Sequence, residues 1–159
     1  MPESSSSELL VQLARRCLAV FDVAAAAVLL VSPGERVRVA AATSPGCHDL
    51  ASFAAATETG PGVEALRTGA QVSSPHIDRD TAAWPGYGAA ARRAGFRSAQ
   101  ALPLRSGRRV VGALYLFDIR TRSFDADQRA LGQAIADDTT TAWMHHDATR
   151  ARVRASRSS

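Results

Sequence analysis

Asparagine and lysine are absent from this chain of 159 residues, and cysteine occurs only twice. Two cysteines, Cys17 and Cys47, are too few and too far apart for a disulfide framework or a zinc knuckle, so no structural metal is expected. Cys17 sits on an apolar stripe at helical spacing, where packing is its expected role. Long hydrophobic runs are missing too. The longest, residues 23–31, is too short to cross a bilayer. The opening "MPESSSSE" has neither a basic start nor an apolar stretch, so it does not read as a secretory leader. Together these absences predict a cytoplasmic protein with no membrane partner.

Acidic residues are in deficit overall, with 19 arginines against 15 acids and a formal charge of +4. The excess is local. The last twelve residues, "ATRARVRASRSS", hold four arginines and no acid, and the 15 bases left elsewhere match the 15 acids. A neutral body argues against a nucleic-acid partner for the folded part, and the polar tail at 148–159 reads as a disordered end. The first five residues read the same way. The apolar content of 46% and charged content of 21% are those of an ordinary globular chain, long enough for one domain over residues 6–147.

What is present is strongly periodic. "SSSSELLVQLARRCLAVF" carries Ser5 three residues before Glu8, a capping spacing, and then Leu10, Leu13, Cys17 and Val20 at helical intervals. "AAAAVLLV" and "RVRVAAAT" read as a hairpin about Pro33-Gly34. Short helical segments follow in "HDLASFAAAT" and "VEALRTG", then a brief strand "AQVSS", a polar loop from Pro75, and a helix "AAARRAG" ended by Gly95. Residues 96–118 form a second hairpin turning at "RSGRR". Its second strand has no polar face. Val111, Ala113, Tyr115 and Phe117 alternate with Val110, Gly112, Leu114 and Leu116, which predicts a sheet covered on both sides. Asp125 and Gln128 repeat the capping spacing before a last helix of about six turns.

This order of elements resembles the GAF domain. The segments "GPGVEALRTGAQV", "WPGYGAAARRAGFRSAQALPLRSGRRVVGALYLF" and "FDADQRALGQAIADDTTTA" resemble actinobacterial GAF domains, especially those that precede an RNA-binding ANTAR domain. The resemblance implies an α+β fold in α/β/α layers. It further implies a GAF/PAS-like central antiparallel sheet of five or six strands, in the order 2-1-5-4-3 or a six-stranded variant. The N- and C-terminal helices share one face, and short helices and loops cover the other, where the family closes a small-molecule cavity.

The chemistry of the family's better-known branches does not carry over. Cyclic-nucleotide-binding relatives use a pattern containing asparagine and lysine, which this chain lacks. Cys47-His48 resembles the bilin-attaching pair but precedes "GPG", whereas that family attaches its chromophore later. His76 is the one histidine placed where haem-binding relatives hold iron, and a lone loop histidine is a weak ligand set. No cofactor is therefore expected. Free methionine sulfoxide reductases share the fold and need cysteines that meet at the cavity, which Cys17 and Cys47 do not provide.

The remaining expectation is a non-enzymatic sensory or regulatory domain for signal transduction or transcription regulation. Phe53, His76, Trp84, Tyr87, Arg92, Phe96 and Tyr115 are candidates to line the cavity, or else to fill it. Leu9, Leu13, Ile135, Thr139 and Trp143 on the terminal helices are candidates for a homodimer interface, or else for the domain's own core. The expected partners are an unidentified small molecule, a second copy of the chain and an output domain or protein. An enzyme of the sulfoxide-reductase type and a ligand-free dimerisation module are the alternatives.

Overall fold

In a computed structural model describing residues 2–32, 36–80 and 82–158, the elements follow the predicted order. Helix α1 (Pro2–Phe21) leads to the strands β1 (Ala25–Ser32) and β2 (Arg36–Ala42). Helices α2 (Pro45–Thr57) and α3 (Pro61–Thr68), strand β3 (Val72–Ser74) and a 3-10 turn at Ile77–Arg79 come next. Helix α4 (Tyr87–Ala94), strands β4 (Ser98–Ser106) and β5 (Arg109–Asp118), and helix α5 (Ala126–Ser158) complete the chain. The five strands form one antiparallel sheet in the order β2-β1-β5-β4-β3. The turn expected at Pro33-Gly34 lies outside the described residues.

The sheet separates two apolar cores. On one face Ala26, Val28, Leu30, Leu102, Leu104, Leu114 and Leu116 meet Leu10, Leu13, Cys17 and Phe21 of α1 and Ile135 and Ala136 of α5. On the other, Ala25, Ala27, Leu29, Ala99, Ala101, Tyr115 and Phe117 meet the short helices. Period-two alternation explains this partition up to Val111. That residue was expected beside Tyr115 and Phe117 but belongs to the terminal-helix core. The register explains the difference: Leu104 pairs with Gly112 and Arg105 with Val110, so Val111 is the extra residue of a β-bulge.

Helices reach further into both termini than the composition predicts. Helix α1 starts at Pro2, a residue suited to a first helical position, so Ser5 and Glu8 fall inside the helix and not at its cap. The presumed disordered tail at 148–159 is helical through Ser158, and α5 runs for 33 residues, about nine turns and about 50 Å. Alanine and arginine propagate a helix well, and nothing after Asp147 is glycine or proline, so extension needs no new nucleus. The predicted cap is present: Gln128 N donates to Asp125 Oδ1 at 2.7 Å, and Asp125 N to Gln128 Oε1 at 3.0 Å.

Polar ties connect the layers. Asp118, buried at the end of β5, accepts from Arg120 Nη2 at 2.9 Å and Arg122 Nη1 at 3.1 Å. The same guanidinium groups donate to the carbonyl of Asp22, so the exit of α1 and the entry to α5 share one anchor. Burial works to raise the Asp118 pKa, but the hydrogen bonds from Arg120, Arg122 and the Ile119 amide outweigh it and hold the carboxyl below its ordinary value. Gln71 bridges a second seam: it accepts from Gln100 Nε2 of β4 at 2.9 Å and donates to the Arg129 carbonyl of α5 at 2.9 Å.

Candidate functional site

Small residues on β1 and β4 make room for large ones. Ala25, Ala27, Ala99 and Ala101 flank Tyr115 and Phe117 on the short-helix face, and the rings stack 4.7 Å apart. Phe96 stacks on Phe117 at 5.0 Å, and Trp84 meets Tyr87 edge-on at 6.0 Å. Four of the seven candidate ligand residues, Trp84, Tyr87, Phe96 and Tyr115, therefore converge. All four are buried, so side chains occupy the space between sheet and helices.

The "GPG" segment closes over these rings. A Cβ on Gly62 would overlap the Tyr115 ring, and one on Gly60 would lie 2.9 Å from both Tyr115 Oη and Tyr87 Cδ2. Only residues without a side chain admit such an approach. Beneath them lie two unsatisfied polar atoms, the buried hydroxyls of Tyr87 and Tyr115. They face one another, and the Gly62 amide faces Tyr115 Oη, but none of these approaches has hydrogen-bond geometry. Burial pushes both phenols well above their ordinary pKa, and each is neutral across the physiological range.

Of the other three candidates, Phe53 packs against the edge of this core, and His76 and Arg92 lie outside it. Phe53 is half-buried and lines a groove of about 450 Å³ between α2 and α4, together with Gly46, Asp49, Leu50, Ala90, Arg93 and Ala94. His76 is exposed beside the 3-10 turn, and Arg92 is exposed on α4 in an ion pair with Asp78 at 3.0 Å. These two do not join the aromatic cluster. A smaller hollow of about 280 Å³ is lined by Gly60, Val63, Arg67 and Trp84 among others.

Cys47 is fully buried, and burial pushes its thiol up to about 11. His48 points away, with Nδ1 3.4 Å from Ser52 Oγ on the exposed side of α2. Cys17 is buried in the core on the opposite face of the sheet. Among the described residues no group of three or more histidine, cysteine or acidic side chains converges on a possible metal position, and no helix is long and apolar enough to cross a membrane.

On the terminal helices, Leu13 and Ile135 are consumed by the domain's own core and are unavailable to a partner. Trp143 is half-buried and packs against that core. Leu9 and Thr139 are half-buried and border a groove of about 260 Å³ between α1 and α5, with Gln12, Arg16, Asp138 and Ala142. Sequence periodicity finds the helices, but it cannot separate a stripe that meets the sheet from a neighbouring one that meets a second chain.

Comparison with known proteins gives a consistent result. The family described as GAF domain matches residues 3–144. A domain of a putative two-component sensor histidine kinase from Sinorhizobium meliloti 1021 is similar in structure, with a TM-score of 0.73 at 16% identity over 91% of this chain and 94% of that one. The second GAF domain of DevS from Mycobacterium smegmatis gives 0.70 at 16% identity, over 93% and 99%. The PixJ GAF domain of Thermosynechococcus elongatus gives 0.71 at 12% identity, over 97% and 94%. No curated protein matches the sequence.

Proposed function

Because the chain belongs to the GAF domain family, we propose that it is a non-enzymatic sensory module. It binds a small molecule on its short-helix face and passes the change to α1 and α5 in a homodimer. The observation that carries this reading is the interleaving of the two cores on β5. Tyr115 and Phe117 stand in the aromatic cluster, while Leu114 and Leu116, which alternate with them, pack under the terminal helices. A ligand that displaces the rings must move the same strand that seats the helices.

The two unpartnered hydroxyls support a face that can rearrange, since a ligand offering them hydrogen bonds relieves a cost of about 1–3 kcal/mol each. The similar solved structures come from a sensor histidine kinase, from DevS and from PixJ, which fits a signalling role. We place the module in bacterial signal transduction or transcription regulation, the latter as the resemblance to actinobacterial GAF–ANTAR proteins implies. The separation of Cys17 and Cys47 by the full sheet weighs against a sulfoxide reductase.

Coupling requires a ligand to prefer one arrangement of the helices over another, because equal affinity shifts nothing. Native mass spectrometry of freshly purified protein, with hydrogen exchange along α5, tests the proposal. A dimer whose α5 protection changes on ligand addition is the expected result. A monomer, or α5 protection indifferent to a bound ligand, overturns it. The filled cluster favours one competing reading, a ligand-free dimerisation module, which predicts a dimer that takes up nothing.

A further inference from the structure

The groove between α2 and α4 is polarised along its length. Gly46, Asp49, Leu50 and Phe53 supply one wall at i, i+3, i+4 and i+7 of α2, and Ala90, Arg93 and Ala94 supply the other. The helices run in opposite directions. A Cβ on Gly46 would sit 3.7 Å from the Ala94 carbonyl, and one on Gly86 at the start of α4 would sit 3.1 Å from Phe53 Cζ. Asp49 and Arg93 therefore share one end, and the groove continues over the buried Leu50 and Ala90 towards Phe53.

Neither charge at that end has a partner among the described residues. Elsewhere Arg92 pairs with Asp78 and Arg67 with Glu58, but Asp49 and Arg93 line the same groove without an ion pair or side-chain hydrogen bond to each other or to anything else. An acid and a base left unpaired at one end of an apolar trough, in a volume of about 450 Å³, match a molecule that carries both opposite charges at its own end. A simple anion or cation would leave one of the two unmatched.

We propose that this groove binds a free α-amino acid with an aliphatic or aromatic side chain. Its carboxylate faces Arg93, its ammonium group faces Asp49, and its side chain lies on Leu50 and Phe53. The planar guanidinium suits a carboxylate in two-point contact, and the exposed Asp49 suits a compact ammonium. The assignment rests on reading the short-helix face as the sensory side and names its ligand class.

Isothermal titration of the full chain with L-phenylalanine and L-leucine tests the site, with glycine, 3-phenylpropionate and 2-phenylethylamine as comparisons. Saturable binding of the two apolar amino acids is expected, with each comparison compound weaker by roughly tenfold or more because it lacks one of the three contacts. Arg93→Gln and Asp49→Asn should each weaken L-phenylalanine by roughly tenfold at an unchanged melting temperature, since both side chains are exposed and unpaired. Absence of binding by both amino acids overturns the proposal, as does binding that neither substitution weakens or glycine binding as tight as phenylalanine. Binding without any change in α5 protection would keep the site and reject the signalling role.

Discussion

Replacing Tyr115 or Tyr87 by phenylalanine should stabilise this protein, the reverse of the usual outcome for a buried tyrosine. Each hydroxyl is buried without a hydrogen-bond partner. Such a group forfeits its hydration at a cost of about 1–3 kcal/mol. Removing the oxygen recovers most of that and leaves a gap of one atom beside Gly60 and Gly62, whose lost contacts cost a few tenths of a kcal/mol. The net gain is about 1 kcal/mol per substitution, or about 2–4 °C in melting temperature for a chain of this size. Urea unfolding followed by far-ultraviolet circular dichroism measures it, with an unchanged m-value as the sign that only stability moved. Ser98→Ala is the control, because Ser98 Oγ donates to the Arg120 carbonyl at 2.6 Å and its loss should cost about 1 kcal/mol. If both Tyr→Phe variants lose about 1 kcal/mol, and the double variant loses less than their sum, the hydroxyls are bonded to each other and the reasoning fails.

Gly62→Ala should destabilise the domain by about 2 kcal/mol in the same urea assay, since the new methyl group overlaps the buried Tyr115 ring; a neutral result would show that the ring can retreat. Asp118→Asn should cost about 1–3 kcal/mol at pH 7. The wild-type carboxyl has a lowered folded pKa, so its contribution is full above the unfolded value of about 3.9 and is lost as pH falls through the folded value. The gap between wild type and variant, followed by melting temperature, should therefore shrink on acidification below about pH 4. Cys17 and Cys47 should react with a thiol reagent at pH 8 only on unfolding, because both are buried with pKa values of about 11; fast labelling of native protein contradicts this. Ile135→Ala should cost about 3 kcal/mol and leave the subunit number in light scattering unchanged, as expected for a core residue and not an interface one.

The hairpin at 96–118 shows how far the sequence could be read. A run apolar on both faces told of cover on both sides, because strand side chains alternate without exception until a bulge intervenes. The bulge at Val111 left no mark in the composition, so that one residue was assigned to the wrong face. Helix α5 was legible at its start through Asp125 and Gln128, but arginine-rich sequence after Asp147 fits a solvated helix as well as a disordered end. In the site, large aromatic residues announced themselves and do converge. Asp49 and Arg93 were missed because 43 intervening residues hide a proximity that only the packing of α2 on α4 creates.

Past Met144, α5 continues as a mostly exposed helix beyond the folded body. About fourteen residues at 1.5 Å each give an arm of about 20 Å, so a swing of about 5° at its root carries the tip sideways by almost 2 Å. Under the proposed signalling role, a small tilt at the root of that helix would reach its far end as a displacement large enough to make or break a contact.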